Sequence, residues 1–419
     1  MITGFLSLRP HARFLAFGFL LSFWSGFGQT YLFALFGGEI RAHFDLSAGD
    51  FGAIYSIGTL GGAVALIYLG RLIDRADLRL YAVAVALALA IGCLILWQAT
   101  SIGMLVAAVF ALRLAGQGLM GHTALTAMGR YFDESRGRAV SVATIGHPAG
   151  EAFWPAIAVL SIGALGWQQS WGLYGLITAL FMPPMILWLL RGHDDRHKAY
   201  LARLDLIRQV STATSNGSRA RFWQISLSDR VWRLLPALLS LPFIITGLFF
   251  HQIEVVSQKG WTLGLVAQAF IAYSLASILA MAFSGPLIDR ITAIRTIRFG
   301  LLPMIAAAAV LMMWPGIAAA YLYFFLAGLA GGLMSTIAGT LWPELYGTER
   351  LGAVRALSHA AMVFASALGP VVMGYVLDAG VTINAIAGWC AVYMLCASAL
   401  TLTVTPDAPK AAANSAPDR

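Results

Sequence analysis

Charge is scarce in this chain: Asp, Glu, Lys and Arg make up 11% of its 419 residues, less than half the roughly 25% of an ordinary soluble domain. With apolar residues at 59%, so little charge cannot cover a water-soluble surface. Cysteine is almost missing as well. Cys93, Cys390 and Cys396 all fall inside apolar runs without paired spacing, which excludes a disulfide framework or a cysteine metal site. No P-loop occurs, which argues against direct drive by ATP. His147 and Glu151 stand four apart but have no third ligand at suitable spacing, so neither a metal nor a cofactor is expected. The first apolar run is longer than that of a signal peptide and no small-residue cleavage site follows it, so it is expected to be retained.

What the chain does contain is hydrocarbon in membrane-length pieces. About 20 apolar residues cross a ~30 Å hydrocarbon core, and the sequence predicts spans at about 14–37, 51–70, 79–99, 102–126, 139–162, 168–190, 234–256, 263–284, 297–314, 317–342, 353–376 and 382–403. The expected fold class is an all-α membrane protein of twelve transmembrane helices. Its net charge of +8 does not call for nucleic acid. Of the 27 Lys and Arg, only Arg41 and Lys259 fall in loops on one side and Arg113 inside a span, leaving 24 on the other side. The positive-inside rule makes that side cytoplasmic and puts both termini there.

Segment 191–233 is the one long connection, with nine basic residues and four Asp. Its amphipathic stretch, 200–208, is expected on the membrane surface, where Arg and Lys meet anionic headgroups. The chain thus divides into a six-span half over 1–190, a cytoplasmic central loop over 191–233, a second six-span half over 234–405 and a disordered cytoplasmic tail over 406–419, rich in Ala, Pro, Asn and Ser.

The halves repeat. Gly70-Arg71-Leu72-Ile73-Asp74-Arg75 returns 215 residues later as Gly285-Pro286-Leu287-Ile288-Asp289-Arg290. Glu39 and Glu254, Pro155 and Pro370, and Gly118-Leu119-Met120 and Gly332-Leu333-Met334 hold nearly the same offset. Two six-span halves, a basic central loop and Gly-x-Leu-x-Asp-Arg in both halves resemble the major facilitator superfamily in its bacterial twelve-span form. Arg113-Leu114-Ala115-Gly116-Gln117-Gly118 is similar to the family's pattern in the fourth span, and Arg136-Gly137-Arg138-Ala139 fits the loop after it. The first loop motif departs from the family, since Ala76-Asp77-Leu78-Arg79 replaces its basic tail.

The resemblance implies two pseudo-symmetric six-helix bundles, alternating access and a midplane site between them. It also implies gating by Gly70, Asp74, Arg75, Gly285, Asp289 and Arg290, with Arg136 and Arg138 as partners of Asp74, and Arg350 and Arg355 as partners of Asp289. The expectation is a secondary transporter in the inner membrane of a bacterium and not an enzyme, working with a small solute and protons as a monomer.

Arg113 falls near the middle of its span, where a guanidinium costs several kcal/mol without a partner or water. Glu151 lies at the same depth of the next span, so an Arg113–Glu151 pair is expected. His147 precedes Glu151 by one helical turn. In the functional reading, Arg113 holds an anionic solute, while Glu151 exchanges a proton with His147 beside it. In the structural one, Arg113 and Glu151 form a permanent interhelix pair. Gln29, Gln117, Tyr31, Trp24 and Trp154 are candidate cavity residues, and His251, Glu254 and Glu39 mark an outer mouth. His122 and His359 read as packing groups between helices. Gly58, Gly61 and Gly62, and Gly328, Gly331 and Gly332, predict close helix approach. Proton-coupled uptake of a small organic anion is the first reading. Proton-driven efflux is the alternative, weakened because Gly146-His147-Pro148-Ala149-Gly150-Glu151 departs from the exporters' Gly-Pro-x-x-Gly-Gly. A non-transporting sensor stands apart as another class, with only the central loop available for signalling.

Overall fold

The computed structural model describes residues 11–132, 135–210, 229–346 and 351–404, without the side chains of 203–210 and 351–356. Eleven of its helices are long and apolar enough to cross a membrane: spans 2 to 6 at Ala48–Asp74, Leu78–Trp97, Ile102–Tyr131, Arg136–Leu165 and Trp167–Leu189, and spans 7 to 12 at Asp229–Phe250, Leu263–Ile291, Ala293–Met313, Ile317–Tyr346, Leu357–Asp378 and Ile383–Leu402. Span 1 is a broken pair, Ala12–Gly28 and Thr30–Phe44, bent by 43°. The sequence predicts it as one unbroken run ending near 37; the break lies at Gln29, which takes an extended backbone (φ −88°, ψ 149°). An extended residue cannot continue a helical ladder, and within a bilayer the backbone groups at such a break need partners from neighbouring helices.

Short polar residues at the loops start several spans. Ser47, Asp77, Ser101, Thr262 and Thr382 each accept a backbone N–H of the first turn that follows, supplying one of the partners that a helix start lacks. Within each half, glycines bring helices to backbone contact. A Cβ at Gly58 would sit 2.6 Å from Val109, and one at Gly328 or Gly332 would collide with the carbonyl of Tyr273 or Ser277. The two glycine sets therefore serve the expected close approach, of span 2 to span 4 and of span 10 to span 8.

The halves meet along spans 2 and 11, spans 5 and 8, and the second part of span 1 with span 7. Among the described residues, the hydrogen bonds crossing between them gather toward the face opposite the termini. Asp378 at the end of span 11 accepts from the N–H groups of Ala48 (3.0 Å) and Gly49 (2.7 Å) at the start of span 2. Gln252 donates to the Tyr31 carbonyl (3.1 Å), and Arg41 pairs with Glu254.

The central segment begins with a docked helix. Helix His193–Val210 has its first turns on the N-terminal half. Arg79 holds Asp194 with two hydrogen bonds (3.0 and 2.8 Å), the Tyr131 hydroxyl lies 3.0 Å from His197 Nδ1, and Arg196 stacks over Phe14 at 4.5 Å. Aromatic and ionic contacts hold those turns to the bundle. His193 is buried there with its ring 5.1 Å from that of Tyr131.

Burial, with added repulsion from Arg196, His197 and Arg79 and against the pull of Asp77, depresses the His193 pKa to about 4. The Asp77 carboxyl is held down at about 2, mainly by its hydrogen bond from Arg79, and stays charged throughout this window. A depressed histidine favours the docked state above its ordinary pKa of ~6.5 and loses that contribution as pH falls toward the docked value. The helix should therefore undock progressively between about pH 6.5 and about pH 4. Distances between spin labels on helix 193–210 and span 4 check this; a distribution constant across the window contradicts it.

Candidate functional site

The second break in helical regularity lies beside the first. Span 4 is a π-helix over Arg113–Met120, a local widening that often marks functional positions. It faces the break of span 1 with glycine against glycine: a Cβ on Gly28 would lie inside the backbone of Leu112 and Gln117, and one on Gly116 would lie 2.6 Å from Gly28 Cα. Any larger residue at either position would push the two backbones apart.

That approach brings Arg113 onto the broken backbone. The side chain is 4% exposed. Its Nη1 donates to the Gly28 carbonyl (2.9 Å) and, at 3.5 Å, to Thr30 Oγ1, while Nε donates to Thr59 Oγ1 (3.0 Å). The guanidinium carbon lies 4.9 Å from the centre of the Tyr55 ring, whose hydroxyl meets Thr30. Nη2 is buried without an acceptor among the described residues. Placing Arg at a bilayer centre costs about 2.5–3.5 kcal/mol, and a hydrogen bond to a charged group returns about 1.5–3 kcal/mol. The two good bonds are enough to hold the charge in place, with both N–H groups of Nη2 left over.

The expected Arg113–Glu151 pair does not form. The widened turn of span 4 directs Arg113 to spans 1 and 2, whereas Glu151 sits in span 5 on the other side of span 1. Glu151 is 7% exposed and has His147 Nδ1 at 3.5 Å. It is close enough to act electrostatically on Tyr31 and on Tyr273 of the opposite half. Arg113 and Glu151 are thus two separate centres, one inside the N-terminal half and one at the seam between halves.

A cavity of about 350 Å³ opens beside Arg113, with Thr59, Gln117, His122 and His359 among its polar lining. His359 belongs to span 11, so both halves contribute. Of the predicted cavity residues, Gln117 lies on its wall, Gln29 forms the hinge of span 1, and Tyr31 lies at the seam against Phe270 (5.5 Å between rings). Trp154 and Trp24 do not line it. Their indole N–H groups are engaged by the Phe23 carbonyl (2.8 Å) and Thr178 (2.9 Å), and their rings pack together with Phe27.

The loop motif is tied down on the terminal face. Asp74 meets Arg130 at the end of span 4, and the same guanidinium donates to the Ile73 carbonyl (3.1 Å). Arg130 thus joins this motif with no signal in the first-loop pattern to announce it. His122 Nε2 lies 3.1 Å from the Gly70 carbonyl, so the cavity wall is linked to the motif. Arg75 and Arg136 lie at the surface, Arg138 is half-buried, and Arg136 donates to the Phe132 carbonyl (3.4 Å). In the second half Gly285 is half-buried, and Asp289 and Arg290 are exposed. Arg350 and the side chain of Arg355, expected as partners of Asp289, lie outside the described residues. Beside Asp289, Glu344 caps span 9 by accepting from Ala293 N (2.5 Å).

On the opposite face the marked mouth is shut. Glu254 pairs with Arg41, and His251 lies 3.7 Å from Glu254 and 2.7 Å from the Pro370 carbonyl. Glu39 is exposed. Asp378 was the residue sequence reasoning missed; its signal was an acid ending span 11 where Ser47-Ala48-Gly49 opens span 2 with small residues. Thr59 and Tyr55 were missed as well; their signal was two hydroxyls one helical turn apart on the glycine-bearing side of span 2.

A two-half helical bundle with a polar cavity lined from both halves, and with the polar links between halves gathered at one face, defines a membrane carrier. A family model described as Major Facilitator Superfamily matches residues 18–317 and 249–419; the chain belongs to that superfamily. It is accordingly a secondary transporter and not an enzyme. Among solved structures, a bacterial homologue of the human lysosomal transporter Spinster in an inward-facing, occupied conformation matches with TM-score 0.67 at 15% identity, covering 93% of this chain and 96% of that one. A point mutant of the nucleoside transporter NupG matches with TM-score 0.70 at 14% identity, covering 93% and 98%. At these identities the likeness is one of fold. No curated protein matches the chain.

The seal makes a direct prediction. Asp378→Asn combined with Arg41→Ala removes a carboxylate cap and an ion pair from it, and should raise labelling of a cysteine placed at Ser56 by an impermeant maleimide from that face several-fold. Equal labelling of the variant and the parent would show that the halves are held by other contacts.

Proposed function

We propose that this transporter carries a small organic anion into the cell, coupled to protons, with Arg113 as the anion-binding group and Glu151, with His147 beside it, as the proton-exchanging group. The observation that carries the reading is the buried Arg113 guanidinium: among the described residues it meets only neutral acceptors, leaves Nη2 without one and lies in the wall of a cavity shared by both halves. About 350 Å³ falls at the small end of ligand pockets. A carboxylate or another compact anion supplies the charge that Arg113 lacks, and Gln117, His122 and His359 offer polar contacts from two helices.

Proton exchange is assigned to the seam because Glu151 is buried where spans 5 and 8 slide past one another, beside tyrosines of both halves. A change of its charge alters the attraction between bundles, and this is how a proton biases two conformations. With the termini in the cytoplasm of a bacterium, the face closed by the links between halves is the outer one. Asp74 with Arg130 on the inner face, and Asp378 with Arg41–Glu254 on the outer one, then form two gates made and broken in turn. One chain holds both centres, so a monomer suffices.

A thermal-shift screen against organic acids, flavins, nucleobases, amino acids and lipophilic cations, followed by uptake assays on the hits, tests the reading. Organic acids should stabilise the parent and lose that effect in Arg113→Lys, which keeps the charge but not the planar fork; uptake should fall by about tenfold or more, as expected when roughly 1.4 kcal/mol or more of binding is lost. Anion binding retained in Arg113→Lys and Arg113→Ala, or stabilisation by lipophilic cations alone, overturns it. Glu151→Gln should lose accumulation driven by a proton gradient and retain counterflow exchange; undiminished accumulation removes Glu151 from coupling.

A further inference from the structure

On the terminal face, away from both centres, the start of span 1, the end of span 4 and the docked helix enclose a pocket of about 180 Å³ lined by His11, Phe14, Tyr131, Phe132, Arg196, Ala199 and Tyr200. None of the lining residues is acidic. Arg196 forms no ion pair among the described residues: its Nη2 makes two long contacts, to the carbonyls of Leu190 (3.4 Å) and Arg191 (3.5 Å), and its Nε is buried without an acceptor. Its guanidinium carbon lies over Phe14, 4.5 Å from the ring centre, and His11 sets its ring edge-on to Phe132 at 5.4 Å. Burial and then the nearby Arg13 press against the Arg196 charge, with Asp195 and Tyr131 only partly offsetting them.

Such a guanidinium, desolvated and short of acceptors, is held in place by the stacking geometry of the pocket instead of by a counter-charge. The missing partner is an anion with several acceptor oxygens, because the planar fork of Arg matches phosphate oxygens in pairs. The pocket lies at the level where spans 1 and 4 leave the membrane, and Tyr131 and Tyr200 form its aromatic rim, as is usual at headgroup depth. We infer that this pocket binds a phosphate-ester anion through Arg196 and His11, and that the bound anion fastens helix 193–210 to the N-terminal half. A phospholipid headgroup and a free phosphate share this chemistry. The position at the membrane boundary suits either source.

Purified full-length protein in detergent would be titrated separately with phosphatidylglycerol, phosphatidylcholine and inorganic phosphate, reading the apparent melting temperature and, by native mass spectrometry, the number of lipids retained. Ligands of the native state raise its melting temperature. The expected result is stabilisation by phosphatidylglycerol together with one retained lipid, both lost in Arg196→Gln and weakened in His11→Gln. Stabilisation by inorganic phosphate that disappears in the same variants establishes the site with a soluble anion as occupant. Arg196→Gln could also loosen the helix by itself, so Arg79→Gln serves as the control: it breaks the Asp194 contact while leaving the pocket lining intact, and should retain the lipid. No shift and no retained lipid with any of the three ligands, or lipid retention unaffected by Arg196→Gln and His11→Gln, overturns the inference.

Discussion

Gly28 and Gly116 cross with no side chain between them, and Arg113 closes the crossing by donating to the Gly28 carbonyl. Two irregular helices are needed for this: span 1 must break to turn a carbonyl toward its neighbour, and span 4 must widen to deliver the guanidinium. Each irregularity would be costly in lipid by itself. Together they offset one another, since the broken backbone supplies acceptors for the charge and the charge supplies donors for the backbone. The cavity, the hinge at Gln29 and the contacts of Thr59, Thr30 and Tyr55 all hang on that crossing.

Around it the molecule separates closure from chemistry. The face opposite the termini is sealed by short polar links, a carboxylate on two helix N–H groups and an ion pair, which are strong when made yet easily exchanged with water when broken. The seam between spans 5 and 8 carries a buried acid beside tyrosines. The terminal face holds Asp74 against Arg130 within one half. Among the described residues, the contacts of helix 193–210 go to the N-terminal half.

Much of this was legible in the chain. Twelve apolar runs at membrane length, their loop charges and the repeat at 215 residues specify twelve spans in two halves, because hydrophobic length and charge placement act locally. Arg113, Glu151, His147, Gln117 and the glycine sets stood out for the same reason: a polar group or a bare backbone inside an apolar run costs energy unless something answers it. Which group answers was not legible. Arg113 and Glu151 lie at similar depths in adjacent spans, which made them natural partners, but the π-turn rotates Arg113 toward span 2. Trp154 and Trp24 looked available for a ligand until their indole N–H groups were found engaged. The stretch 200–208 has the pattern of a surface helix, and nothing in it announced that the turns before it dock through Arg79, Phe14 and Tyr131, all far away in sequence.

By itself the sequence determined the solvent, the number of crossings, the repeat and the short list of groups too costly to bury idly. Tertiary structure alone decided which of those groups meet, that span 1 breaks at Gln29, that Asp378 seals one face, and that Arg196 lies stacked over Phe14. The division follows from range: transfer to lipid is a property of each segment, whereas a hydrogen bond at about 3 Å depends on the rotation and crossing of two helices, which are fixed only when all of them pack.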